Sequence, residues 1–166
     1  MAFDAFLQIS NIPGESTDTK HTNWLEVTSF GYGVAHTVTG SLSGGGSQFS
    51  ERANFELFTI TKVVDIATPK LFYFCAKGEP IPSMKFELCR ATGEKTCYQR
   101  VDFENCHVQG FKAAGAPDLN SGLPMETVTF TYAKKTIEYF KTDHATAALL
   151  GSGGKQWWDQ TTNVGG

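Results

Sequence analysis

The chain predicts a mainly β protein: an antiparallel β-barrel, or two packed sheets, with one short α-helix on its side. Three observations carry that prediction. Apolar and polar residues alternate with period two over about six or seven stretches, the pattern of half-buried strands. The stretches are joined by hairpin-length turns and by glycine-rich polar loops. Only residues 65–77 have the spacing and punctuation of a helix, and a lone mid-chain helix is placed to cover one opening of a barrel or sandwich.

The first strand opens at once: Phe3, Ala5, Leu7 and Ile9 alternate with Asp4, Phe6 and Gln8, and Phe6 is the one large apolar group on the wet side. Residues 11–23 form a polar loop with a turn at Pro13-Gly14. Residues 24–38 read as one long strand. Leu25, Val27 and Ser29 lie on one face and Trp24, Thr28, Phe30 and Tyr32 on the other, so both faces are partly buried. Residues 39–50 have the composition of a flexible connection, whereas Leu42 and Phe49 would anchor a loop that orders only against a partner.

A strand over 55–64 leads into the helix. Asp65 and Thr68 can accept orphan N–H groups, Pro69 falls in the tolerant first turn, and Gly78 is placed to close the C-terminus. Leu71, Phe74 and Cys75 share a face, and a helix this short needs that face buried against a sheet. Met84, Phe86 and Leu88 then alternate with Lys85, Glu87 and Cys89, and a turn at 91–95 leads into a strand over 96–112 in which Val101 and Phe103 share a face with His107. After a second loop at 113–123, Val128, Phe130 and Tyr132 alternate with Thr127, Thr129 and Thr131. The apolar phase passes to Ile137 and Tyr139, which predicts a bulge at 133–135. Residues 1–141 are expected to form one domain, carrying an extended loop at 38–50. The tail, 142–166, has weak structural signals around Trp157 and Trp158.

Charge and composition exclude several functions. With 166 residues, a net charge of −3 and no Lys/Arg run, nucleic acid and anionic membranes are poor partners. No 18-residue apolar run is present, and the N-terminus lacks the pattern of a secretory signal, so by the usual routes the protein stays in the cytosol. Cys89 and Cys97 flank Thr92-Gly93-Glu94 and can face each other across a hairpin, but a reducing cytosol favours free thiols. His21, His36, His107 and His144 are scattered singly, and no ligand pair has zinc-site spacing, so neither metal nor cofactor is expected.

No catalytic constellation emerges. The serines lack a nucleophile-elbow setting, and Gly44-Gly45-Gly46 has no following Lys-Ser/Thr. Glu51 and Glu56 read as solvated charges, and His107 as a partly buried histidine rather than a base. The thirteen phenylalanines and double-faced strands suggest self-assembly through the sheets, unless one large core holds all the rings.

Several stretches occur together in order: Met1-Ala-Phe-Asp-Ala-Phe-Leu-Gln-Ile, Ile12-Pro-Gly-Glu-Ser16, Trp24-Leu-Glu-Val-Thr-Ser-Phe30, Phe58-Thr-Ile-Thr-Lys62, Asp65 with Thr68-Pro-Lys-Leu71, Phe86-Glu-Leu-Cys-Arg90 and Glu126-Thr-Val-Thr-Phe-Thr-Tyr132. From Met1 to about Lys141 the chain resembles the haemolysin-coregulated protein family of type VI secretion systems; Gly153-Gly-Lys-Gln-Trp-Trp-Asp159 is similar to the Trp-containing end of many members. The resemblance implies a β-barrel like that of phage tail-tube proteins, assembled as a homohexameric ring. Rings would stack into a tube that works with spike and sheath components, carries effector proteins in its lumen, and leaves the cell without a cleaved signal. It further implies a loop contacting neighbouring subunits and stacked rings, with Gly40, Leu42, Gly44, Gly45, Gly46 and Phe49 as candidates, and a lumen lining around Ser29, Gly31 and Gly33. The short stretch after Lys141 leaves no room for a fused toxin domain. A monomeric lipocalin-like carrier and a hydrolase with a dispersed site are the alternatives.

Overall fold

The computed structural model describes residues 3–39, 49–50, 52–91, 95–115 and 123–166. Its elements are β1 (Phe3–Ile9), β2 (Leu25–Val27), β3 (Ser29–Gly31), β4 (Val34–Ala35), β5 (Val38–Thr39), β6 (Phe49–Ser50), β7 (Asn54–Phe55), β8 (Phe58–Val63), α1 (Thr68–Lys77), β9 (Pro80–Arg90), β10 (Cys97–Ala114), β11 (Met125–Thr142), β12 (Leu149–Asp159) and β13 (Val164–Gly165). The main sheet is antiparallel in the order β13-β12-β11-β10-β9-β1-β2, with β8 joining β11 to β3. It curls into an incompletely closed barrel. The gap is bridged at Thr28, whose N–H and Oγ1 both donate to the Thr61 carbonyl, at 2.9 and 2.7 Å.

That bridge corrects the reading of 24–38 as one strand. The chain pairs with β1 through Leu25 and Val27, kinks at Thr28, and pairs with β8 through Ser29–Gly31. The kink changes the pleat, so Leu25 and Val27 before it and Phe30 and Tyr32 after it all turn to one core. Its apolar residues on both parities therefore record a bend, not two buried faces.

A matching phase change occurs on β10 and β11. Val101 and Phe103 face the core, then Cys106 and Val108; opposite them are Ile137, then Tyr132 and Phe130. Asn105, at φ 53°, marks the switch on β10. Both strands change phase together, so the register is unbroken from Glu104↔Lys134 to Cys106↔Tyr132 and no bulge lies at 133–135; the shift in this ladder falls between Val108 and Gly110. The same switch turns His107 outward, away from the face shared by Val101 and Phe103.

The core centre is aromatic: the Phe58 ring lies 4.5 Å from Phe103, 5.3 Å from Phe86 and 6.0 Å from Phe130. Against this core α1 buries Leu71 completely and packs Phe74 and Cys75, lying along β10. Gly78 ends it in the left-handed region at φ 71°. The helix starts at Thr68 rather than Asp65. Ala67 holds the cap position without a side-chain bond, while Asp65 Oδ1 accepts from Ala67 N–H at 2.8 Å and Thr68 Oγ1 accepts from Asp65 N–H at 3.1 Å. The two polar side chains thus shape the preceding turn instead of capping the helix.

Residues 149–159, expected within a weakly structured tail, form β12 along the second half of β11 from Lys134↔Asp159 to Thr142↔Leu149. Cys89 and Cys97 are cross-strand partners of β9 and β10 and form a disulfide, which overturns the free-thiol expectation. Hairpin register decides the pairing here, and the redox compartment says nothing of which sulfurs face each other. Cys106 is a buried free thiol, its pKa pushed up to about 12 by burial.

Candidate functional site

Two outer surfaces stand apart from the core. Pairing aligns Ser29 with Thr61 and Thr127 across β3, β8 and β11, and Gly31 with Thr59 and Thr129 in the next row. Phe58, Ile60, Val128 and Phe130 alternate with these residues and are buried, so both rows look away from the core. The result is a broad wall of small side chains. Ser29 and Gly31 are exposed on it, and Gly33 is half-buried beneath the Glu56 carboxylate, the movable end of an exposed side chain. Gly40, Leu42, Gly44, Gly45 and Gly46 lie outside the described residues; Phe49 belongs to the short β5–β6 pair.

The second surface is apolar and was weakly signalled in the sequence. Val34, Phe55, Ile137, Trp157 and Trp158 line a groove of about 700 Å³ beside β12 and β13, with Lys135 at its floor. Lys135 Nζ sits 4.8 Å from the Tyr32 ring, 5.4 Å from Tyr132 and 5.7 Å from Phe55. Burial holds its pKa below the usual lysine range, against the opposing pull of Glu56. Leu149 and Leu150 extend exposed apolar surface along the same edge, Leu150 to 63%. On α1, Phe72 and Tyr73 face outward at 61% and 53% exposure.

A buried polar network ties these elements together. Lys62 Nζ donates to Glu126 Oε1 at 2.6 Å, to Asp65 Oδ1 at 2.8 Å and to the Val63 carbonyl at 2.8 Å. Thr68 Oγ1 donates to the same Glu126 oxygen at 3.0 Å. Glu126 and Lys62 lie far apart in the chain, and β8–β11 pairing makes them direct neighbours. No nucleophile–base dyad is formed by these groups, and their geometry fixes the entry of α1 against the sheet.

Residues 6–139 match the family described as type VI secretion system effector, Hcp. The chain belongs to the Hcp family. It is 27% identical over 165 residues to Protein hcp1 of Pseudomonas aeruginosa, covering 99% of both chains. Among solved structures it is similar to one described as a type six secretion system protein, with TM-score 0.91 and 30% identity over 99% of this chain and 100% of that one. It also resembles Hcp1 from Salmonella typhimurium, with TM-score 0.77 and 26% identity over 99% of each chain. As an Hcp protein the chain has a type VI secretion tube or effector role, in a family of secreted structural components of the secretion system. Among the described residues, no helix is long and apolar enough to cross a membrane.

Proposed function

We propose that this Hcp protein assembles as a homohexameric ring, that rings stack into the secretion tube, and that effector proteins ride in the lumen. One observation carries the reading beyond family membership: the apolar groove and edge at β12–β13 lie on a different surface from the small-residue rows of β3, β8 and β11. In the proposal the groove receives the neighbouring subunit, and the wall containing Ser29 and Gly31, with Gly33 at its margin, faces the lumen. The loop carrying Gly40, Leu42, Gly44, Gly45, Gly46 and Phe49 makes contacts between subunits and between stacked rings. The barrel comprises 1–141, and the tail 142–166 provides part of the subunit contact. Spike and sheath components engage the assembled tube, which forms in the cytoplasm and is then exported.

The small-ligand carrier has no comparable support, because phenylalanine rings fill the barrel centre where a lipocalin-like ligand would sit. Light scattering on a sizing column tests the ring. Six chains of 18.1 kDa give about 109 kDa; a monomer at every concentration would refute the proposal. Ser29→Trp tests the lumen: it should reduce effector co-purification while preserving the ring mass.

A further inference from the structure

We propose that reduction of the Cys89–Cys97 disulfide converts its surroundings into a zinc(II) site, with His21 Nε2, Glu87 Oε2 and the two thiolates as ligands. Four potential donor atoms, one from each residue, lie within 4.8 Å of one another. His21 Nε2 is 2.9 Å from Glu87 Oε2, 3.6 Å from Cys97 Sγ and 3.9 Å from Cys89 Sγ. Zinc bonds of about 2.0–2.3 Å give a tetrahedron with edges of roughly 3.3–3.8 Å, so these distances need only small side-chain shifts once the sulfurs part. A disulfide by itself needs neither an imidazole nor a carboxylate beside it. Two sulfurs with both of those groups are a zinc donor set.

The site is built beyond its ligands. His21 is 1% exposed; its ring stacks on Phe6 at 4.1 Å and meets Trp24 edge-on at 4.8 Å, which fixes its plane. Its other nitrogen, Nδ1, faces Asp18 Oδ1 at 2.8 Å, the carboxylate–histidine support that orients metal-bound imidazole. Arg100 Nε donates to Glu87 Oε1 at 2.8 Å, leaving Oε2 directed at His21. Lys95 Nζ is 3.0 Å from Asp18 Oδ2, so cations border a site whose two thiolates and carboxylate exceed the charge of one zinc ion. A surface cleft lined by Lys20, Lys95, Gln99 and Arg100 reaches His21 and Cys97 and supplies an entry path.

The chemistry balances with a dithiol reductant. Two thiols of the reductant become its disulfide as Cys89 and Cys97 become thiols, and coordination then releases both thiol protons while zinc binds. Chain separation hides the set: His21 lies in the first loop, Glu87 and Cys89 on β9, and Cys97 at the start of β10. The inference is independent of ring assembly.

The test is anaerobic titration of the reduced, desalted chain with Co²⁺, followed by Zn²⁺. One equivalent should produce tetrahedral visible bands with thiolate-to-cobalt charge transfer, and zinc should abolish both. The oxidised chain and the Cys89→Ser/Cys97→Ser variant should give neither. Asp18→Asn should weaken binding about 10–100-fold while far-ultraviolet circular dichroism remains native. A folded reduced chain without thiolate charge transfer overturns the proposal, as does equal binding by the double variant. If reduction unfolds the chain, zinc must restore the fold; failure to restore it also overturns the proposal.

Discussion

Lys62 and Glu126 are both 0% exposed, and each depends on the other for its charge to be tolerated in the interior. Replacing Lys62 with Met leaves Glu126 beside Asp65 without its cation and should cost about 3–5 kcal/mol in urea unfolding. Adding Glu126→Leu should recover much of that loss, because the orphaned charge is gone. Equal loss in the double variant would assign the stability to the pair itself. Tyr132 makes a second residue-scale prediction. Burial, reinforced by Glu56 and Tyr32, pushes its pKa up to about 12, and its hydroxyl donates to the Glu56 carbonyl at 2.9 Å. The unfolded phenol titrates near 10, so above that pH the unfolded chain holds fewer protons. Stability present below about pH 10 should therefore fall as pH rises towards 12, and Tyr132→Phe should flatten the fall in alkaline melts.

At the element scale, α1 is held by a narrow face. Leu71 is its one fully buried side chain, so Leu71→Ala should cost about 2–5 kcal/mol by chemical denaturation; a loss near zero would contradict the packing against β10. The β9–β10 hairpin carries the disulfide across a sequence separation of 8 residues. In the chain-entropy account, closing so short a loop stabilises by about 2–3 kcal/mol. Reductant together with a chelator should therefore lower the melting temperature, while the Cys89→Ser/Cys97→Ser variant should show no reductant response. An unchanged wild-type melt would mean that the bridge contributes nothing to stability. The strand kinks belong to this scale too. Thr28 and Asn105 are ordinary polar residues in the sequence; only sheet pairing shows that core-facing parity changes at one and at the other.

For the whole molecule, the prediction concerns assembly. Deleting 40–46 should leave the barrel's circular dichroism and melting intact while shifting the mass distribution from ring towards monomer. Unchanged assembly would make the loop an inert connection. Assembly itself is favoured by the exposed apolar edge at Leu149, Leu150 and Trp157, because a lone chain leaves that surface in water.

The sequence by itself determined the β class, the helix face at Leu71, Phe74 and Cys75, its end at Gly78, and the strand patterns around Phe86 and Phe130. These follow from periodicity and local backbone preference, which act over a few residues. Ordered motif stretches also carried the family resemblance. Tertiary structure decided what distance along the chain conceals: the Lys62–Glu126 pair, the Cys89–Cys97 bridge with His21 and Glu87 beside it, and the place of β12 on β11. Cross-strand register and the kinks at Thr28 and Asn105 set those neighbours. A pleat that changes phase re-aims every side chain beyond it, and no local rule records where that happens.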